Sequence, residues 1–198
     1  RNGSAVDILT PALLCRHHPG MTAEPGELLL HYLLELRLEL KRYLNPEEIK
    51  EVERAFLLSE NAHRGQNRKS GEPYITHPVA VARILAELRL DAETLIAAIL
   101  HDTLEDTDLS KDSITQEFSA KVAELVDGVT KLEKVNFATK EQQAAESLRK
   151  MFFSMARDPR VILIKLADRL HNMRSSTFAQ PGRVGVCEVW KPLATSAV

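Results

Sequence analysis

The sequence predicts an all-α fold, a compact multi-helix bundle, from three observations. Helix-start signals recur at short intervals, at Asn45-Pro46, Asp91, Thr139 and Asp158-Pro159. Apolar residues between them fall at helical spacing, as with Ile49, Val52, Ala55 and Phe56. No run of alternating residues is long enough for a strand, and there is no internal repeat or low-complexity tract. Separate caps argue for a bundle rather than a coiled coil. With 198 residues, 44% of them hydrophobic, the chain suits one domain with a sizeable core.

The elements follow in order. Glu24–Tyr43 is rich in Leu, Glu, Arg and Lys, a strong helix composition. Asn45 caps a helix expected over Pro46–His63, with Glu47 and Glu48 favouring its first turn. Residues 64–77 contain Gly65, Gly71 and Pro73 and read as a polar, locally basic loop. Pro78 opens a helix over Val79–Leu88, and Asp91 caps another from Ala92 to about Leu104. Glu105–Asp112 reads as an acidic turn, followed by helices over Ile114–Phe118 and Ala120–Val129. Glu133–Thr139 reads as a loop, and Thr139 caps a helix over Lys140–Ala156. Asp158-Pro159 opens the last helix, Arg160–Met173. After Arg174 helical periodicity stops, so residues 175–198 are expected to be a tail, disordered or foreign to the domain. Residues 1–20 read as a leader or a vector-derived remnant, with Met21 a natural start and 21–174 the domain.

Composition narrows the function. There are 26 basic and 28 acidic residues, a net charge of −2, which gives no support for nucleic-acid binding. No apolar run reaches the roughly 18 residues of a membrane span, and the start lacks the order of a signal peptide. Cys15 and Cys187 lie near opposite ends and in no motif, which fits a reducing, cytoplasmic setting.

Two apolar stretches carry polar groups that need a reason. Leu95–Thr107 begins as an apolar helical run and ends with His101, Asp102, Glu105 and Asp106. On one continuous helix, His101 lies above Glu105 and Asp102 above Asp106. Burying an imidazole beside a carboxylate costs desolvation unless something compensates, and a divalent metal would. Arg160–Met173 is apolar on nearly every face, a buried type of helix, yet it carries Asp168 and Asn172 four apart with Lys165 one turn before. The plain alternative for Asp168 is an ion pair to Arg169 or Arg174. His77 stands at a loop–helix junction, where a capping role is the alternative. Two imidazoles and two carboxylates form a mixed nitrogen–oxygen set that suits Mn²⁺ or Fe²⁺ better than zinc. Such a metal would acidify a water and steady charge on a phosphoryl group. Glu105 and Asp106 are then candidates to move that water's proton, the alternative being a solvated acidic helix end, which the helix dipole disfavours.

Four segments together resemble the HD-type metal-dependent phosphohydrolases, and more narrowly the amino-terminal hydrolase domain of RelA/SpoT-type alarmone proteins. They are AHRGQNRKSGEPYITHP (62–78), AAILHDTLEDT (97–107), VDGVTKL (126–132) and KLADRLHNMR (165–174). The histidine–aspartate doublet alone is weak, whereas all four in this order are specific. The resemblance implies an HD-domain bundle and hydrolysis of the 3′-pyrophosphate of (p)ppGpp, with Mn²⁺, to GDP or GTP and pyrophosphate. It implies metal ligands at His77, His101, Asp102 and Asp168, and a catalytic acidic pair at Glu105 and Asp106. It implies nucleotide contacts at Arg68, Lys69, Ser70, Asn172 and Ser175, the last a serine where the family usually has threonine. An arginine plane able to stack on a base and cations facing phosphates agree with the loop's role, although composition alone reads Arg68 and Lys69 as a solvated loop. The implied partners are the alarmone and the remainder of a larger bifunctional enzyme, with no nucleic acid and no membrane. No synthetase domain follows, so no alarmone synthesis is expected of this stretch. Two readings stay open beside this one: an HD phosphohydrolase for another nucleotide, and a regulatory module that binds nucleotide without turnover.

Overall fold

The computed structural model describes residues 25–68, 71–133 and 157–178. Among these the regular structure is helical, apart from an isolated antiparallel bridge between Asn67 and Pro73. The expected loop and helix over 134–156 lie outside the described residues, as do 1–24, Lys69, Ser70 and 179–198.

Helix α1 (Pro25–Leu40) buries Leu36 and Leu40. Helix α2 (Pro46–Ala62) starts with a capping box. The Asn45 side chain accepts from the Glu47 and Glu48 amides, both at 3.0 Å, while Glu48 Oε2 accepts from the Asn45 amide at 2.9 Å. Its buried residues are Ile49, Val52, Ala55, Phe56 and Ser59, the stripe that helical spacing predicts.

Helix α3 (Thr76–Glu87) starts earlier than Pro78 suggests. The Thr76 hydroxyl donates to Pro73 O at 2.9 Å, and the His77 amide donates to Tyr74 O at 3.0 Å. Pro78 then falls in the first turn, where amide groups have no helical acceptor and its missing N–H costs little. This sets His77 inside the helix rather than in the loop before it.

The end of α3 holds a Schellman arrangement. The Arg89 amide donates to Ala86 O at 2.9 Å and the Leu90 amide to Leu85 O at 3.2 Å. Arg89 occupies the left-handed position usually given to glycine, at φ 56°, and is exposed. Arg89→Gly is therefore expected to raise stability by about 1 kcal/mol, since an L side chain costs roughly 1–2 kcal/mol there. A urea-denaturation midpoint that stays put or falls would contradict this.

Helix α4 (Ala92–Ile99) is the centre of the molecule. Asp91 caps it through the Thr94 amide at 2.8 Å, Thr94–Ile99 is wholly buried, and α2, α3, α7 and α8 all pack on it. The expected continuation to Leu104 does not occur. The chain leaves the helix at Leu100 and re-forms it only in the short α5 (Thr103–Asp106). Two side chains take over the backbone partners there: His101 Nδ1 meets Ala98 O at 2.8 Å, and the Thr103 hydroxyl donates to Leu100 O at 2.7 Å. One turn survives, with the Asp106 amide on Asp102 O at 2.9 Å, but His101 does not ride above Glu105 on a continuous helix.

Helix α6 (Lys111–Glu117) begins ahead of the expected Ile114 because Ser110 caps it, accepting from the Ser113 amide at 3.1 Å. Helix α7 (Ala120–Glu133) and helix α8 (Arg160–Phe178) both outrun their expected ends, α8 entering the stretch read as tail. They cross closely at Gly128, where an added Cβ would stand 2.9 Å from Val161 Cγ2. That contact is a physical reason for glycine in the VDGVTKL segment.

Candidate active site

Three elements deliver the cluster: the first turn of α3, the break after α4, and the middle of α8. His77, His101 and Asp168 each place one ligand atom within 4.8 Å of the others, and all three are buried. His77 Nε2 stands 3.2 Å from Asp168 Oδ1 and 3.8 Å from Asp102 Oδ2. Asp102 lies beside this trio rather than within it, its Oδ1 2.9 Å from His101 Nε2.

The cluster fits a divalent cation by the chemistry of its donors. His101 is 1% exposed, and its Nδ1–H donates to the Ala98 carbonyl, which leaves Nε2 directed at the carboxylates. That Nε2 is buried, with Asp102 Oδ1 the carboxylate oxygen beside it. Burial alone would lower the His101 imidazole, but Asp102, Asp168 and the Ala98 carbonyl together outweigh it and shift it upward. A cation would compete with a proton for this nitrogen, as metal binding to histidine does. Burial pushes the Asp102 carboxyl upward, yet His101 and the Tyr74 hydroxyl outweigh it and bring it down to about 2. Asp168 is likewise held far below the usual carboxylate range against its burial, by His77 and Lys165. Both acids are thus ionised at neutral pH, as ligands must be.

Around the cluster lies a layer of partners. Lys165 Nζ donates to Asp168 Oδ2 at 2.9 Å, and Asn172 Nδ2 donates to Asp168 Oδ1 at 2.7 Å. Asn172 in turn accepts from Arg68 through Oδ1 at 2.9 Å, so the basic loop is tied to α8. His171 Nδ1 sits 2.8 Å from His77 Nδ1 and 3.5 Å from Arg68 Nη1. Burial, with His77 and Arg68 adding to it, lowers the His171 imidazole to about 4, so it is neutral and its nitrogen can accept from His77. Burial also lowers His77, with His101 and Arg68 acting the same way against Asp168.

Glu105 and Asp106 stand on α5, the first half-buried and the second exposed. With Ala62, Gln66, Thr107 and Asp108 they line a polar depression open to solvent. The Tyr74 hydroxyl reaches Asp102 Oδ2 at 2.5 Å and Asp106 Oδ2 at 3.1 Å, so Asp106 and Asp102 share a neighbour. Burial, Asp102 and Asp106 push the Tyr74 phenol well above its ordinary range, so it remains a neutral donor.

Of the nucleotide-contact candidates, Arg68 and Asn172 meet directly. Ser175 is exposed on α8 and donates to His171 O at 2.9 Å. Lys69 and Ser70 lie outside the described residues. Sequence reasoning passed over His171 and Tyr74. The signal for His171 was its position three residues after Asp168, on nearly the same helix face. Tyr74 stands three residues before His77, but only the early start of α3 winds the two into one turn.

Residues 55–196 match the HD-domain family model, past Arg174 and into the terminal segment. The chain is similar to the bifunctional (p)ppGpp synthase/hydrolase SpoT of Escherichia coli strain K12, at 51% identity over 169 residues, covering 82% of this chain and 24% of that protein. It is 49% identical over 159 residues to the guanosine-3′,5′-bis(diphosphate) 3′-pyrophosphohydrolase of Vibrio cholerae, covering 78% of this chain and 23% of that protein. Among solved structures it resembles a metazoan ortholog of SpoT, described as hydrolysing ppGpp and playing a role in starvation responses. The TM-score is 0.52 at 30% identity, over 69% of this chain and 73% of the other. The chain spans about a quarter of the length of these two curated relatives. Among the described residues, no helix is long and apolar enough to cross a membrane.

Proposed function

The chain belongs to the HD-domain family, in its SpoT-like branch, and on that premise we propose that it removes the 3′-pyrophosphate of (p)ppGpp, using Mn²⁺. The observation that supports this most is the meeting of His77, His101 and Asp168 from three separate elements, with Asp106 linked through the Tyr74 hydroxyl to the neighbouring Asp102 and Glu105 beside it on α5. His77, His101, Asp102 and Asp168 would hold the cation. When bound, it would supply Lewis acidity toward water and the phosphoryl oxygens.

The chain's own groups do the rest. Water adds its oxygen to the phosphorus on the 3′-oxygen, that ester bond breaks, and GDP or GTP leaves with the 3′-hydroxyl restored beside free pyrophosphate. Glu105 and Asp106 take the proton from water and return one to the 3′-oxygen, Asp106 being the one open to solvent. Arg68, Lys69, Ser70, Asn172 and Ser175 hold the nucleotide. The Arg68–Asn172–Asp168 chain of hydrogen bonds couples that contact to the cation site. The reaction belongs in the cytoplasm, beside the remaining domains of a longer bifunctional alarmone protein.

The test is pyrophosphate release from ppGpp in Mn²⁺ and in excess chelator. The expected result is release in Mn²⁺ alone. Preference for a nucleotide with no 3′-phosphate moves the reading to another HD phosphohydrolase, and tight binding without turnover moves it to a regulatory module.

A further inference from the structure

We infer that Tyr74 is a positioning residue that fixes Asp102 and Asp106 relative to one another through a single shared hydroxyl. This rests on the roles proposed above for those two acids.

A phenol has one proton and must divide it. The 2.5 Å contact to Asp102 Oδ2 takes it as a charge-assisted hydrogen bond, and the 3.1 Å contact leaves Asp106 Oδ2 the weaker share. Occupying Oδ2 has a consequence for the cluster. Asp102 turns its other oxygen, Oδ1, toward His101 Nε2 at 2.9 Å. Tyr74 therefore fixes the rotation of the Asp102 carboxylate, with Oδ1 toward His101 and Oδ2 toward His77.

The ring is locked in turn. His63 stacks on it with centroids 4.4 Å apart and planes 25° from parallel. His63 Nδ1 meets Gln66 Oε1 at 2.9 Å, and Gln66 Nε2 donates to the backbone carbonyl of Asp106 at 3.1 Å. The contacts run from the Asp106 side chain through Tyr74, His63 and Gln66 back to the Asp106 backbone. A closed circuit of this kind fixes a rotamer better than one bond does, because no member can turn without breaking its neighbour's contact.

The test compares wild type with Tyr74→Phe and Gln66→Ala. Mn²⁺ titration without nucleotide is followed by ppGpp turnover at saturating Mn²⁺. Tyr74→Phe keeps the stack but loses the hydroxyl. It is expected to bind the same number of Mn²⁺ ions about 10–100-fold more weakly, the usual loss when a ligand's orienting partner is removed. At saturating Mn²⁺ its kcat falls at least about tenfold with KM for the nucleotide unchanged. Gln66→Ala, exposed and safe for folding, shifts both quantities the same way by less. Unchanged Mn²⁺ affinity and kcat in Tyr74→Phe overturn the inference, and so does unchanged behaviour of Gln66→Ala if Tyr74→Phe does not fold. A wild-type chain that binds Mn²⁺ but leaves ppGpp intact sinks the functional proposal alone, because the affinity comparison still reads out the tie between Tyr74 and Asp102.

Discussion

Asp168→Asn is expected to abolish turnover and to weaken Mn²⁺ binding by more than about 100-fold, beyond the upper end of what loss of a mere orienting group costs. The asparagine is the informative change. Asp168 is buried, accepts from the half-buried Lys165 and Asn172, and lies against His77. Asp168→Ala would leave the Lys165 ammonium without its carboxylate. Breaking a buried pair from one side costs about 3–5 kcal/mol, enough to confuse loss of a ligand with loss of the fold. The amide keeps the volume and one accepting oxygen but not the charge that a divalent cation needs. Thermal unfolding and Mn²⁺ titration on the same sample separate the two roles. If Asp168 served only as the partner of Lys165, Asp168→Asn would melt earlier and bind Mn²⁺ as the wild type does.

Which parts of this were legible in the sequence depends on range. Asn45 and Asp91 announce their helices because capping is a contact over two or three residues, and each caps as its local pattern implies. The break at Leu100 was not legible. Leu95–Leu104 has the composition of one helix, and at the break side-chain bonds from His101 and Thr103 take the Ala98 and Leu100 carbonyls. That diversion matters, because a continuous helix would carry His101 around with Glu105 instead of leaving its Nε2 directed at the carboxylates. By sequence His77 ends a loop, because Pro78 looks like a helix start, whereas the Thr76 hydroxyl closes an earlier turn.

Within the site, Asp168 and His101 stood out because a polar group in an apolar helix is anomalous on its own. Arg68 did not, and composition reads its loop as solvated. Its pairing with Asn172, 104 residues away, is a property of the fold. His171 and Tyr74 were passed over for the same reason. Each is unremarkable alone and acquires a role only when helix α8 and the loop before α3 are brought against the end of α4.

Asp106→Asn should show the opposite pattern to Asp168→Asn: Mn²⁺ affinity within a few-fold of wild type, and kcat lower by about 10²–10⁴, the range for loss of a positioned proton-transfer group. The reasoning is geometric. The Asp106 side chain is exposed on α5 and meets Asp102 through the Tyr74 hydroxyl, whereas Asp102 faces the imidazoles directly. An amide at 106 can still accept from Tyr74, so the orientation of Asp102 survives while the ability to take a proton does not. Glu105→Gln provides the companion measurement, and the larger loss of the two marks the principal proton carrier. The readout is single-turnover pyrophosphate release across pH at saturating Mn²⁺. Asp106→Asn should stay slower than the wild type throughout. Equal rates in Asp106→Asn, Glu105→Gln and wild type would remove both carboxylates from the chemistry and leave the depression around Gln66, Thr107 and Asp108 as an ordinary acidic surface.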